Sequence, residues 1–247
     1  MKILSIVPLQ IFLNLRYYIG YEGVGQFGFL ESYKMCLFGG ALDRTRDDLL
    51  VCVDSFIPVI LFLFLFGGYL YQDLKIDGIY VFTRNNNRRG WFFRKCANIA
   101  GYTFLYICLF QLLSIFTVVH ISGRIPNKEG IIFGLSIILM FTLYTYFFTL
   151  GINLLAVYTG EKTAFVSMVF LQFCFAEIAI GFEKIPILKN FPVLLKLNPA
   201  ANFICSWNVN TAIFSIVYFL VFIVAIEIAG IFIIENTDLG ITDKEAF

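Results

Sequence analysis

Long apolar runs separated by short polar stretches dominate the chain. A helix that crosses a bilayer needs about 20 predominantly apolar residues. Five segments meet that length: 51–71, 96–119, 130–160, 163–182 and 211–234. Segments 96–119 and 130–160 carry no charge, and the other three carry one acid each, Asp54, Glu177 and Glu227. Lipid offers no water to backbone N–H and C=O groups, so these runs are predicted as helices despite their strand-favouring Phe, Ile and Val. A shorter candidate lies at 3–21. Its apolar run stops at Arg16, which is expected to snorkel to the interface beside Tyr17 and Tyr18. A cleaved signal is disfavoured there, because no Ala precedes Ala41 and no A-x-A step follows the run. The pattern therefore predicts an all-α integral membrane protein of six transmembrane helices in one domain, 1–247.

Composition agrees. The chain is 60% hydrophobic and 14% charged, against about 45–50% and about 25% for an ordinary soluble domain. Mean hydropathy is +0.84, so most of the chain faces lipid. A net charge of +1 gives no reason to expect a nucleic-acid partner. The six cysteines form no CxxC pair and sit mostly in apolar runs, where Cys behaves as a small hydrophobe. Cys36, Cys52 and Cys205 are candidates for a disulfide if their segments lie outside the cell. Abundant Phe, Ile, Tyr and Asn with little Ala points to an AT-rich bacterial genome.

Charge placement adds topology. Residues 80–96 read "YVFTRNNNRRGWFFRKC" and hold Arg84, Arg88, Arg89, Arg94 and Lys95, five of the 18 cations in the chain. Residues 72–95 hold six cations against two acids, whereas 22–50 holds three against five. Cations of short loops stay in the cytoplasm. This places both termini inside and puts 22–50, 120–129 and 183–210 outside. Trp91 then serves as an interfacial anchor.

Several chemistries are missing. His120 is the only histidine, which rules out HExxH-like metal ligands and leaves no Ser–His pair on facing spans. No P-loop, Rossmann fingerprint or paired-carboxylate protease motif occurs. If ATP drives this protein, another chain binds it. Glu177 and Glu227, with Gln172 and Asn98, are candidates for a transport pathway, because charge and polarity inside a membrane are expensive. Interhelical hydrogen bonding is the competing reading for Asn98, Gln111, Asn153 and Gln172. The pair Gly67 and Gly68 reads as a close helix contact.

Two stretches carry a resemblance. In "QDLKIDGIYVFTRNNNRRGWFFRK", Asp73, Gly78, Arg84, Arg88, Trp91 and Lys95 follow the order of an acid, a Gly, a basic turn, an aromatic and a Lys opening the next helix. In "GFEKIPILKNFPVLLKLNPAANF", Pro186, Pro192 and Pro199 interrupt apolar residues after the fifth span. Both features resemble ABC-2 type transporter permeases. The resemblance implies that 73–95 contains a coupling helix docking on a separate ABC ATPase subunit, and that 183–210 forms short re-entrant helices outside. Two departures stand out: the chain has no amphipathic helix before its first span, and Asn replaces the usual Pro of the basic turn. By the resemblance, the chain would be a transport subunit and not itself an enzyme. It would bind no cofactor, with ATP and Mg held by its partner. It would pair with a second permease, as a homodimer or heterodimer, in the cytoplasmic membrane of a Gram-positive bacterium. Its most similar relatives would be small permeases of peptide-antibiotic export and immunity. Against this stand a substrate-binding membrane module of an energy-coupling importer, a secondary transporter, and a structural membrane subunit.

Overall fold

A computed structural model describes residues 28–38, 49–75, 87–123, 125–182, 185, 190–204 and 210–236. Among these, every regular element is a helix: α1 (Phe29–Phe38), α2 (Leu49–Phe66), α3 (Arg88–Ser122), α4 (Lys128–Thr159), α5 (Glu161–Gly181), α6 (Pro192–Lys196), α7 (Pro199–Phe203) and α8 (Ala212–Asn236). After a turn at Gly67 and Gly68, helix resumes over 69–75. Five stretches are long and apolar enough to cross a membrane: Ser55–Lys75, Arg88–His120, Lys128–Thr159, Glu161–Gly181 and Ala212–Glu235. They correspond to the five longer runs of the sequence. The expected first span, 3–21, and both termini lie outside the described residues.

α4 is the hub, packing against α2, α3, α5 and α8. Its second half is uncharged and buried on nearly all sides, from Tyr144, Thr145 and Tyr146 to Leu154 and Ala156. A helix apolar all round belongs at the centre of a bundle. α3 and α4 run antiparallel through a tight turn, in which Gly123 takes a φ of 65° and its N–H bonds back to the Val119 carbonyl at 3.0 Å. That left-handed conformation suits Gly because it has no Cβ to clash. Asn127 then caps α4, its side-chain oxygen accepting the Gly130 N–H at 2.8 Å.

The two ends of the bundle differ. At one end lie the start of α3, the α4–α5 turn, residues 69–75 and the end of α8, where the polar and ionic contacts gather. At the other lie the α3–α4 turn, α6, α7 and α1. The stretch 22–50, expected as a loop, contains helix α1. Phe29, Ser32, Tyr33, Cys36 and Leu37 make one buried helical stripe. The Tyr33 hydroxyl donates to Gln111 Oε1 of α3 at 2.5 Å, and its ring meets Phe133 of α4 edge-on at 5.9 Å. Cys36 is buried. Burial pushes its thiol up to about 12, with a hydrogen bond from Ser114 pulling the other way. Cys205, its candidate partner, lies outside the described residues.

The break in α2 is repaired from outside the helix. In an unbroken helix the Leu70 N–H would bond to the Phe66 carbonyl. Here the fully buried Asn153 of α4 bonds to both groups: its Oδ1 accepts the Leu70 N–H at 2.7 Å, and its Nδ2 donates to the Phe66 carbonyl at 3.3 Å. A side chain inserted in the ladder is a recognised cause of a helix bend. Close approach explains the glycine at 68, where a Cβ would collide with the Glu161 side chain. Asn153→Leu keeps the volume but strands a buried donor and acceptor, at about 1–3 kcal/mol for each. Thermal unfolding in detergent should show a clear fall in midpoint, and an unchanged midpoint would contradict the repair.

Candidate functional site

The basic island of the sequence begins where residues 69–75 end and finishes inside α3. Gly78 and Arg84 lie outside the described residues, so the site is built from its two flanks. α3 starts at Asn87, whose side chain caps the helix by accepting the Gly90 N–H at 2.9 Å. This early start puts Arg88, Trp91 and Lys95 on helical turns rather than in a loop.

Lys95 forms an ion pair with Asp73 across the mouth of the loop. The side chains are 23% and 25% exposed, which places the pair between a surface bridge and a core one. The ammonium also lies 5.3 Å from the Tyr69 ring centre and 5.9 Å from that of Trp91. Both distances suit cation–π attraction. Trp91 is only 7% exposed, so it is a packed wall of this pocket of charge. One turn further round, Arg88 donates to the carbonyls of Ile234 at 3.2 Å and Glu235 at 3.3 Å. A cation there closes the C-terminal end of α8 and complements its dipole. Arg89 pairs with the Glu235 carboxylate. On the far side of residues 69–75, Gln72 Nε2 donates to both carboxylate oxygens of Glu161 at 3.0 Å. These contacts tie the short helix before the loop to α3 and α5, and tie α3 to α8.

The sequence grouped Glu227, Gln172, Asn98 and Glu177 as a candidate pathway, and the structure does not bring the four together. Glu227 is half-buried at the junction of α3, α4 and α8. Its Oε1 accepts the Tyr146 hydroxyl at 2.7 Å, and the buried Cys96 stands beside both. Gln172 is fully buried beside Tyr144. Asn98 and Glu177 are exposed on the outside of the bundle, towards opposite ends.

At the other end, the sequence-predicted prolines 192 and 199 open helices α6 and α7 at their first turns. Proline suits that position, where its missing N–H would be unbonded anyway. Pro186 lies outside the described residues. Asn198 caps α7 by accepting the Ala200 and Ala201 N–H groups at 2.9 and 3.2 Å, while its Nδ2 donates to the Phe175 carbonyl of α5 at 2.8 Å. Asn202 donates to the Lys196 and Asn198 carbonyls at 2.7 and 2.9 Å. Its Oδ1 accepts from the Ser215 hydroxyl of α8 at 2.8 Å and from Asn210 at 2.9 Å. Tyr218 donates to the Leu197 carbonyl at 2.7 Å. Asn202, Arg89, Glu161 and Glu235 were not picked out as functional from the sequence. Asn202 left a trace there in the run "LNPAANF", and Arg89 as one cation of the basic island.

Comparison with protein-family models, curated proteins and solved structures gives no match.

The Asp73/Lys95 pair can be measured directly. Lys95→Met should cost about 1–3 kcal/mol, the range for a hydrogen bond to a charged group. In a double-mutant cycle with Asp73→Asn the two losses should be strongly non-additive. Additive losses would mean that the ion pair does not join the two helices.

Proposed function

We propose that this chain is the membrane-spanning permease subunit of an ATP-binding cassette exporter of the ABC-2 type. In this reading it moves a peptide, antibiotic or lipid-like amphipath outward, using ATP hydrolysed by a separate subunit. The observation that carries the reading is the position of the Asp73/Lys95 ion pair. It joins the helix that leads into the basic loop to the helix that leads out of it. A force applied to the loop by a docked partner therefore enters both spans together. The turn at Gly67 and Gly68 gives the short helix 69–75 a place to swing, and Gln72 passes the motion to α5 through Glu161. Rigid segments moving about a short break are a common way of transmitting domain motion.

The rest of the site fits the same division of labour. Arg88 and Arg89 engage the end of α8, and the exposed Arg94, with Arg84 of the basic island, would meet an acidic partner. Complementary charge would set the register and speed of such docking. α6 and α7 would be the re-entrant segments in the outer leaflet, their backbone groups satisfied by Asn198 and Asn202, as lipid requires. Both termini would be cytoplasmic, and a second permease, identical or not, would complete the pathway.

The test is co-purification with a separate ABC ATPase subunit from the same genome. A stable complex with raised ATP turnover is expected. Arg84→Glu should weaken association by about tenfold or more while the chain still inserts. Arg88→Met should instead lower thermal stability through the loss of the α8 cap. Absence of both complex and stimulated turnover would sink the exporter reading.

A further inference from the structure

A set of polar atoms without partners lies at the centre of the bundle. Gln172 is fully buried, and neither its Nε2 nor its Oε1 has a hydrogen-bond partner. The fully buried Tyr144 hydroxyl stands beside it, near enough to interact but without a formed bond. Gln172 is eleven residues into α5, about 16 Å along its axis, near the middle of a hydrocarbon core about 30 Å thick. Buried polar groups in proteins are almost always bonded, and leaving several bare in a membrane is costly. The Asn153, Asn198 and Asn202 amides show that elsewhere this chain satisfies such groups. Among the described residues Ser32, Gln111 and Thr145 each leave a single buried atom unbonded, whereas Gln172 leaves both ends of its amide bare beside the Tyr144 hydroxyl, which marks this pair as shaped for something else.

The surroundings are aromatic. The Tyr144 ring stacks on Phe203 at 4.1 Å, and Phe148 and Phe219 stand 4.8 and 5.7 Å from it. Phe203 also meets Phe141 at 4.4 Å and Phe56 at 5.7 Å. Phe56 in turn meets Phe173, the neighbour of Gln172, at 6.2 Å. Phe203 thus sits at the middle of the cluster, yet it comes from the last residue of the short helix α7 and not from a spanning helix. Its ring fills the apolar part of the space, and it has no polar side-chain atom to offer the amide and the phenol.

We propose that Tyr144, Gln172 and the rings around them form an internal binding site for an uncharged group that pairs an aromatic ring with a hydroxyl or amide. Phe203 is the plug that holds the ring half of the site when it is empty. The hydrogen bonds of Asn198 and Asn202 fix α7 to α5 and α8, so the helix keeps its place when the ring is removed. The site belongs to this chain alone, and its test is independent of any ATPase.

The experiment uses the full chain in detergent with phenol and toluene, which match in shape and differ in the hydroxyl. Phe203→Ala, or Phe203→Val if the first variant does not fold, opens the ring half. Phenol should then raise the thermal midpoint saturably and bind about fivefold more tightly than toluene, a difference expected of one recovered hydrogen bond. Adding Gln172→Leu should erase that preference. Equal binding of the two probes, no saturable binding by a folded variant, or a preference that survives Gln172→Leu would each overturn the proposal. Equal binding would leave Tyr144 and Gln172 with nothing more than a resident water.

Discussion

A bilayer supplies no water to a broken helix, and much of this architecture answers that constraint. α2 is interrupted at Gly67 and Gly68, and the amide of Asn153 bonds to the two backbone groups that the interruption separates. α6 and α7 are short and leave many backbone groups open, and Asn198 and Asn202 bond to several of them. The last carbonyls of α8 are met by Arg88. In each case a side chain completes hydrogen bonding that the local backbone cannot. Where that side chain comes from another helix, the same bond satisfies a polar group and fixes how two segments sit together.

This coupling bears on mechanism. Breaks in membrane helices are tolerated where something else holds them, and a held break can still bend. The Gly67–Gly68 turn is held by Asn153 on one side and crowded by Glu161 on the other. Beyond it, residues 69–75 are latched to α3 by Asp73 and to α5 by Gln72. Motion of the segment that follows would therefore reach several helices at once. Deeper in the bundle the aromatic cluster around Phe203 is dense and tied to α2, α4 and α8. The bundle thus has a polar, latched end and a dense aromatic interior. A device that takes in force at one end and handles an amphipath within would need both.

The spanning helices were legible because a soluble fold of this size could not bury apolar runs of such length. The prolines at 192 and 199 were legible too, as interruptions of apolar sequence that become helix starts. α1 was not, because its ten residues are too short to span and its flanks are acidic, although Phe29, Tyr33, Cys36 and Leu37 do recur at helical spacing. The sites were harder to read. Polar residues inside apolar runs announce that partners exist but not which ones, so Asn153 and Gln172 looked alike. One proved to bridge a broken helix, and the amide of the other forms no well-made hydrogen bond among the described residues. Arg88 and Lys95 looked like parts of one exposed basic patch, yet both are engaged within the chain, because α3 begins a full two turns before its apolar run.

In the proposed mechanism, energy enters through the segment between residues 75 and 87. A photo-activated cross-linker placed at Thr83 in living cells tests this most directly. It should capture a cytoplasmic ATP-binding subunit, with no labelling of this position by membrane-impermeant reagents added outside. Labelling from outside, or capture of lipid alone, would contradict the mechanism.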